Sequence, residues 1–236
     1  MSVPLVLIPG MMSDARLFQH QITAISRERM VVVAPVLQDS RIEAMASGIV
    51  ARMPPRVALA GIGLGGMVAM DILRQAGDRV ERVCLMDTQP LAATPSMAAE
   101  LEPIVVRAQA GRLDDMLAEA ICTERLAPGP RKAAVVSQML EMGRELGIEV
   151  LVRQIRALQR RRDQQGTLRR FKSPALLICG AQDVLTPPKR HEFMAELMPN
   201  ATLRMVEGAA HLPPVEQPEA VTELLREWLG LPLVLR

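Results

Sequence analysis

Short apolar runs alternate with helical patterns along most of this 236-residue chain. Six runs are rich in Val, Leu and Ile with little polar alternation, which is typical of strands buried on both faces. They cover residues 3–8, 30–36, 56–60, 80–86, 175–179 and 201–206. Several segments between them start with proline or end at glycine, as helices do. Because strands that alternate with helices form parallel sheets covered on both faces, the sequence predicts an α/β fold with a mostly parallel sheet.

The alternation of strands and helices stops between residues 89 and 166. Helical patterns follow one another there without a strand, near residues 96–110, 113–121, 130–146 and 148–161. We therefore expect an all-helical insertion at residues 89–166, between two strands of one core. That core is formed by residues 1–88 and 167–236.

Charge and composition exclude several classes of partner. The chain has 28 basic and 26 acidic side chains, so its formal charge of +2 creates no field that would hold nucleic acid or an anionic membrane. Aromatic residues make up 2%, which argues against stacking platforms for single-stranded nucleic acid. We find no run of about 18 uncharged apolar residues, and we expect no membrane span.

The cysteines indicate the compartment. Cys84, Cys122 and Cys179 are too far apart in sequence for metal-ligand spacing, and their odd number cannot pair completely within the chain. These features favour a cytoplasmic protein without a metal site. We also expect a monomer or homodimer that uses no other cofactor.

Residues 58–69 predict a strand, a glycine turn and a helix, and two mechanisms require glycine in such a turn. Gly61, Gly63 and Gly66 fit the G-x-G-x-x-G fingerprint, in which a helix N-terminus binds pyrophosphate. Asp87 stands at the spacing of about 20 residues expected for a ribose-binding acid. The same turn fits a nucleophile elbow, G-x-S-x-G, if Gly61 and Gly65 flank a central Gly63 in place of serine.

A nucleophile elbow predicts an acid and then a base on later loops. Asp183 ends the sequence G-A-Q-D after the strand at 175–179, and His211 ends G-A-A-H after the strand at 201–206. The other histidines, His20 and His191, lie inside helical patterns. His211 is therefore the candidate base, and Asp183 would hold its tautomer. Asp87, at the end of an earlier strand, is the alternative acid.

Together with the first-strand motif L-I-P-G-M-M at residues 7–12, these motifs resemble the α/β-hydrolase family, in particular its capped esterases and lactonases. The resemblance covers essentially the whole chain. It implies that residue 63 is the nucleophile position, and that the backbone amides of Met11 and Leu64 form the oxyanion hole. It also implies that the helical insertion is a cap above the active site. The family usually has His-Gly where this chain has Pro9-Gly10.

The resemblance also implies a small-molecule acyl substrate. Met12, Met67 and Met97 are candidates to line an adaptable apolar pocket for it, although plain core packing is the alternative for these residues.

Gly63 carries no hydroxyl and cannot form an acyl-enzyme. Ser13, Thr88 and Ser137 are substitutes by proximity only. Our first hypothesis is a carboxylic-ester hydrolase (or a thioester or lactone hydrolase) whose serine was replaced, an engineered inactive variant.

Three alternatives remain open. One is a natural serine-free member that uses the Asp183–His211 pair as a general base, as certain dioxygenases and lyases of the family do. Another is a non-catalytic ligand-binding protein. The most remote is a dinucleotide-binding protein.

Overall fold

The fold is seen in a computed structural model that describes residues 3–120 and 125–230. Six strands form one sheet in the order β2-β1-β3-β4-β5-β6, and every neighbouring pair is parallel. They are β1 (Leu5–Ile8), β2 (Val31–Val33), β3 (Val57–Ile62), β4 (Val80–Met86), β5 (Ala175–Gly180) and β6 (Ala201–Val206). The predicted α/β fold with a parallel sheet is confirmed. β2 is shorter than the predicted 30–36 because Pro35 has no N–H to continue the ladder.

The helices, numbered along the chain, are α1 (Gln19–Ile25), α2 (Ile42–Val50), α3 (Leu64–Ala76), α4 (Pro95–Gln109), α5 (Leu113–Ala120), α6 (Lys132–Gln159), α7 (Gln165–Arg170), α8 (Pro188–Leu197), α9 (Pro213–Glu216) and α10 (Pro218–Gly230). Short 3₁₀ helices occur at Ala15–Phe18 and Gly77–Arg79. None of the helices in the described ranges combines the length and apolarity that a membrane-spanning helix requires.

The two faces of the sheet carry separate apolar clusters. Val6 and Ile8 of β1 face the cluster that contains α2, α3 and α8. Leu5 and Leu7 face the cluster that contains α1 and α10, including Trp228. This alternation follows from the two-residue period of a strand, which sends successive side chains to opposite faces. Because both faces of the sheet are covered, successive residues of its strands are mostly apolar.

The stretch between β4 and β5 holds α4, α5, α6 and α7 and no strand in its described residues. The predicted helices at 130–146 and 148–161 are continuous in α6 apart from Gly147, whose φ of 78° interrupts it. Side chains of α4, α5 and α6, including Val105, Leu117 and Leu151, share a third apolar cluster with Met12 from the loop after β1. Cys122 and the end of the helix predicted at 113–121 lie outside the described residues.

Candidate active site

A single residue joins β3 to α3. β3 ends at Ile62 and α3 begins at Leu64, so Gly63 alone makes the turn, with φ 54° and ψ −118°. Its N–H donates to the carbonyl of Met86 at the end of β4 (3.0 Å). This positive φ is the strained strand-to-helix geometry of a nucleophile elbow.

Steric contacts require glycine beside the turn. A Cβ atom placed on Gly61 would lie 2.4 Å from the carbonyl oxygen of Gly65, and one on Gly65 would lie 2.2 Å from the carbonyl oxygen of Ile8. Both contacts are with backbone, which has no room to move. The small flanking residues are therefore needed for β3 and α3 to pack against β1.

Gly63 is different, because a Cβ atom there meets no clash. Its nearest neighbour would be Nε2 of His211 at 3.8 Å, an ordinary contact distance. A side chain at position 63 would therefore point at the imidazole. No neighbouring residue excludes a side chain here, and the positive φ of position 63 is the one feature that favours glycine.

Asp183 and His211 are brought together from the loops after β5 and β6. Nδ1 of His211 lies 2.9 Å from Oδ2 of Asp183. The same oxygen accepts a hydrogen bond from the hydroxyl of Thr186 (2.6 Å), and Oδ1 accepts the N–H of Leu185 (2.8 Å). Burial alone would raise the pKa of Asp183, but the hydrogen bond and charge of His211, with that of Thr186, hold the pKa below its usual value. A carboxylate against Nδ1 leaves Nε2 free to accept a proton.

Asp87 occupies a different place. It ends β4 with a φ of 39°, is fully buried, and its Oδ1 accepts the N–H of Gly180 (3.0 Å). Burial and the nearby charge of Asp183 raise the pKa of Asp87 well above its usual value. The histidine is thus hydrogen-bonded to Asp183 and not to Asp87. A buried Asp87 also presents no surface to a ribose, which argues against dinucleotide binding.

Glu216 is a site residue that the sequence analysis missed. Its buried carboxylate accepts the N–H groups of Ala210 (3.1 Å) and Leu212 (2.8 Å), the two neighbours of His211. It also accepts the N–H of Ala127, from the stretch between α5 and α6 (2.6 Å). The one sequence signal was an acidic residue within the otherwise uncharged run 212–218.

The two amides expected to form the oxyanion hole lie at the ends of β1 and β3. Leu64 is the first residue of α3, where N–H groups have no acceptor within the helix. Met11 follows the β1 turn, and the next residue, Met12, has a φ of 51°. The N–H of Met12 donates to Oε1 of Gln154 on α6 (2.9 Å), a buried side chain that the sequence analysis also missed.

The three methionines predicted to line a substrate pocket lie in different surroundings. Met12 lies in the cluster that it shares with α4, α5 and α6, and Met67 is a residue of α3 in the core cluster of α2, α3 and α8. The sulfur of Met97 on α4 lies 3.6 Å from a guanidinium nitrogen of Arg161. Their contact with a substrate stays a prediction.

Two groups of described residues bring possible metal-ligand atoms within 4.8 Å of one another. They are Asp87 with Cys179 and His191, and Asp87 with Asp183 and His211. In both, the histidine already makes a hydrogen bond within the protein: Nδ1 of His211 to Asp183, and Nε2 of His191 to the N–H of Thr88 (3.3 Å). Both histidines are therefore already engaged by protein groups.

Comparison with known proteins identifies the family of the chain. The model of the alpha/beta hydrolase family matches residues 5–224. A pimeloyl-[acyl-carrier protein] methyl ester esterase of Neisseria meningitidis is 25% identical over 200 residues, covering 83% of this chain and 78% of that protein. A protein of the same name from Aromatoleum aromaticum is 27% identical over 205 residues, covering 79% of each.

Solved structures show the same fold. A thermophilic esterase from Thermogutta terrifontis superposes with a TM-score of 0.86 at 24% identity, covering 97% of this chain and 90% of that one. An enol-lactonase from Burkholderia xenovorans gives a TM-score of 0.86 at 20% identity, covering 98% and 92%. The resemblance seen in the motifs is confirmed: the chain belongs to the alpha/beta hydrolase family, and its relatives place it with that family's ester-bond hydrolases.

Proposed function

We propose that this fold carries the machinery of a serine-type carboxylic-ester hydrolase, in which residue 63 is the nucleophile position and glycine stands in place of serine. The observation that carries this proposal is the direction of a side chain at position 63. It would point at Nε2 of His211, while the glycines beside it are sterically required. Replacement of one serine, as in an engineered inactive variant, would leave the Asp183–His211 pair and the flanking glycines in place, as they are here.

With a hydroxyl at position 63, each neighbour has a chemical role. Nε2 of His211 takes the hydroxyl proton as the oxygen attacks the ester carbonyl, and Asp183 orients the imidazole and stabilises its cation. The N–H groups of Met11 and Leu64 receive the negative charge that develops on the carbonyl oxygen. His211 then returns its proton to the leaving alcohol and activates water to release the acid.

The substrate we propose is a small-molecule ester of an acyl chain with a small alcohol. Pimeloyl-[acyl-carrier protein] methyl ester esterases are among the relatives, and the helices α4 to α6 supply an apolar cluster beside Met11 and Met12. We propose that residues 89–166 act as the cap over this site. The buried thiols of Cys84 and Cys179, unpaired within the described residues, support a cytoplasmic location.

A second candidate rests on the partly buried imidazole of His211. Because Gly63 has no side chain, no protein atom at that position stands in front of Nε2 of His211, and the Asp183–His211 pair is intact. In this alternative the pair acts directly as a general base on water or on the substrate, and the glycine is natural.

The test is an initial-rate assay with short and medium p-nitrophenyl esters and acyl methyl esters. The proteins are the chain as given, Gly63→Ser, Gly63→Ser/His211→Ala, and the matched control Gly63→Ala, which adds the same Cβ atom and backbone strain without a hydroxyl. We expect Gly63→Ser to exceed Gly63→Ala by roughly 10³-fold or more, and to lose this gain without His211.

Equal rates for Gly63→Ser and Gly63→Ala would overturn the proposal. A rate of the chain as given that depends on His211 would support the general-base alternative. Saturable ester binding without turnover, even in Gly63→Ser, would show a ligand-binding protein.

A further inference from the structure

Two buried hydroxyl groups hold the peptide groups expected to form the oxyanion hole. The hydroxyl of Ser13 donates to the carbonyl of Gly10 (3.0 Å), and that of Thr88 donates to the carbonyl of Gly63 (2.8 Å). We propose that Ser13 and Thr88 are positioning residues that aim the oxyanion-hole amides. This inference rests on the proposed function.

The argument follows from the planarity of the peptide bond. The carbonyl of Gly10 and the N–H of Met11 belong to one peptide group, and the carbonyl of Gly63 and the N–H of Leu64 belong to another. In a planar trans peptide the C=O and N–H bonds point in opposite directions. A hydroxyl that fixes the carbonyl oxygen therefore also fixes the direction of the N–H on the other side.

An oxyanion hole requires N–H donors with an accurately fixed direction. Its donors must lie about 2.7–3.1 Å from the position of the charged oxygen, and they act because they need no reorganisation during the reaction. Both peptide groups lie in turns at the ends of strands, where no ladder partner orients them. A side-chain hydrogen bond to the carbonyl oxygen is one of the few ways to fix the orientation of such a peptide group.

Each hydroxyl stands beside a residue with a positive φ. Met12, at 51°, precedes Ser13, and Asp87, at 39°, precedes Thr88. Non-glycine residues rarely adopt this strained conformation, and it persists where surrounding contacts fix it. Here it turns the chain so that each hydroxyl returns to a carbonyl of the site.

Further contacts fix the two hydroxyl-bearing residues. Both are buried. The N–H of Thr88 is bonded to His191, and Gly66 leaves room for the Thr88 side chain, since a Cβ on Gly66 would lie 2.7 Å from its methyl carbon. On the other side, Gln154 holds the peptide that follows Met11. These hydrogen bonds give the two hydroxyls a structural task, so neither is needed as a substitute nucleophile.

The two residues are not expected to contribute equally. The carbonyl of Gly63 also accepts the helical N–H of Met67 (3.1 Å), so α3 already restrains the Leu64 amide. The Met11 amide lies in a loop. Removal of the Ser13 hydroxyl should therefore lower kcat more than removal of the Thr88 hydroxyl.

The experiment uses Gly63→Ser as reference and adds Ser13→Ala, Thr88→Val or Thr88→Ser. We expect Ser13→Ala to lower kcat about tenfold and Thr88→Val to lower it about threefold, with KM changed by less than about twofold in each. One oxyanion-hole donor contributes roughly 10²-fold to kcat, and a donor that points in the wrong direction loses part of that contribution. Thr88→Ser keeps the hydroxyl and should restore kcat. The pH profile should not move, since the Asp183–His211 pair is unchanged.

A purely structural role predicts something else. If Thr88→Ser is as impaired as Thr88→Val, or if the losses appear in KM with kcat unchanged, the proposal is overturned.

An infrared measurement on the chain as given separates this inference from the proposed function. The probe is methyl hexanoate labelled with ¹³C at its carbonyl, bound to the Gly63 chain, to Ser13→Ala and to Thr88→Val in that chain. Hydrogen bonds from the aimed amides lower the carbonyl stretching frequency. We expect a low frequency in the parent and a higher one in both variants.

The kinetic and infrared experiments can fail independently of each other. If Gly63→Ser gains no His211-dependent hydrolysis, the proposed function fails, and the infrared shift alone decides whether the hydroxyls aim the amides. An identical frequency in parent and variants, or no shift in the parent, overturns the inference.

Discussion

Nδ1 of His211 lies 2.9 Å from Oδ2 of Asp183, and this pair is formed by loops that follow two different strands. Asp87 is bonded to the N–H of Gly180 behind them. The hydrogen bonding therefore ranks the two candidate acids, which the sequence left open. Mutation of each acid tests this ranking.

In the Gly63→Ser background, we expect Asp183→Asn to lower kcat about 10⁴-fold, because an amide that donates to Nδ1 stabilises the tautomer with a protonated Nε2. Asp87→Asn should lower kcat by less than about tenfold, since the amide oxygen still accepts a hydrogen bond from the N–H of Gly180. Steady-state kinetics of the two variants provide the measurement. A larger loss for Asp87→Asn would show that Asp87 is the acid.

The glycines of the elbow give a prediction about stability. Gly65→Ala should destabilise the fold by more than about 3 kcal/mol, because its Cβ would lie 2.2 Å from the carbonyl oxygen of Ile8. Gly63→Ala has steric room and should cost about 1–2 kcal/mol for its positive φ. Gly77→Ala, with φ −61° and no atom within 4 Å of its Cβ, should be neutral or stabilising.

Urea unfolding of these three variants gives the order directly. If Gly63→Ala is as destabilised as Gly65→Ala, the elbow requires glycine at position 63, and the chain would be adapted to that residue.

The sheet and its helices were predictable because apolar runs and proline and glycine boundaries are local signals. The motif spacing also predicted that Asp183 and His211 lie together, since parallel strands bring their following loops to one edge of the sheet. Glu216, Gln154 and the hydroxyls of Ser13 and Thr88 act on backbone groups far away or around a turn. No local pattern shows which backbone groups these side chains contact, so only the three-dimensional structure reveals the contacts.

Glu216 yields a prediction that links the fold to catalysis. Glu216→Ala would leave the N–H groups of Ala127, Ala210 and Leu212 without their shared acceptor. We expect a loss of about 2–4 kcal/mol in the free energy of unfolding. In the Gly63→Ser background we also expect kcat to fall at least tenfold at temperatures where the protein is folded, because His211 loses the support of both neighbouring amides.

Glu216→Gln is the matched control for this change. It keeps one acceptor oxygen and should fall between the parent and Glu216→Ala in both measurements. Normal kcat in folded Glu216→Ala would show that the His211 loop holds its shape without this carboxylate.

His191 gives a prediction about pH. It is fully buried, and burial lowers its pKa from 6.5 to about 4. As pH falls from about 6.5 to about 4, the unfolded chain protonates this imidazole while the folded chain does not, so unfolding becomes more favourable. The stabilisation by neutral His191 is complete above about pH 7 and is lost progressively toward pH 4. The total change attributable to this group is about 3 kcal/mol.

His191→Gln tests this pH dependence, because the amide oxygen of glutamine is able to accept the N–H of Thr88 without titrating. The measurement is the difference in unfolding free energy between parent and variant, from urea titrations at pH 7.5, 6, 5 and 4.5. We expect the parent to lose stability relative to His191→Gln as pH falls, whereas His20→Gln, a change on an exposed helix face, serves as the control for removal of a histidine. A difference that is constant over these pH values would mean that His191 takes up its proton equally in the folded and unfolded chain.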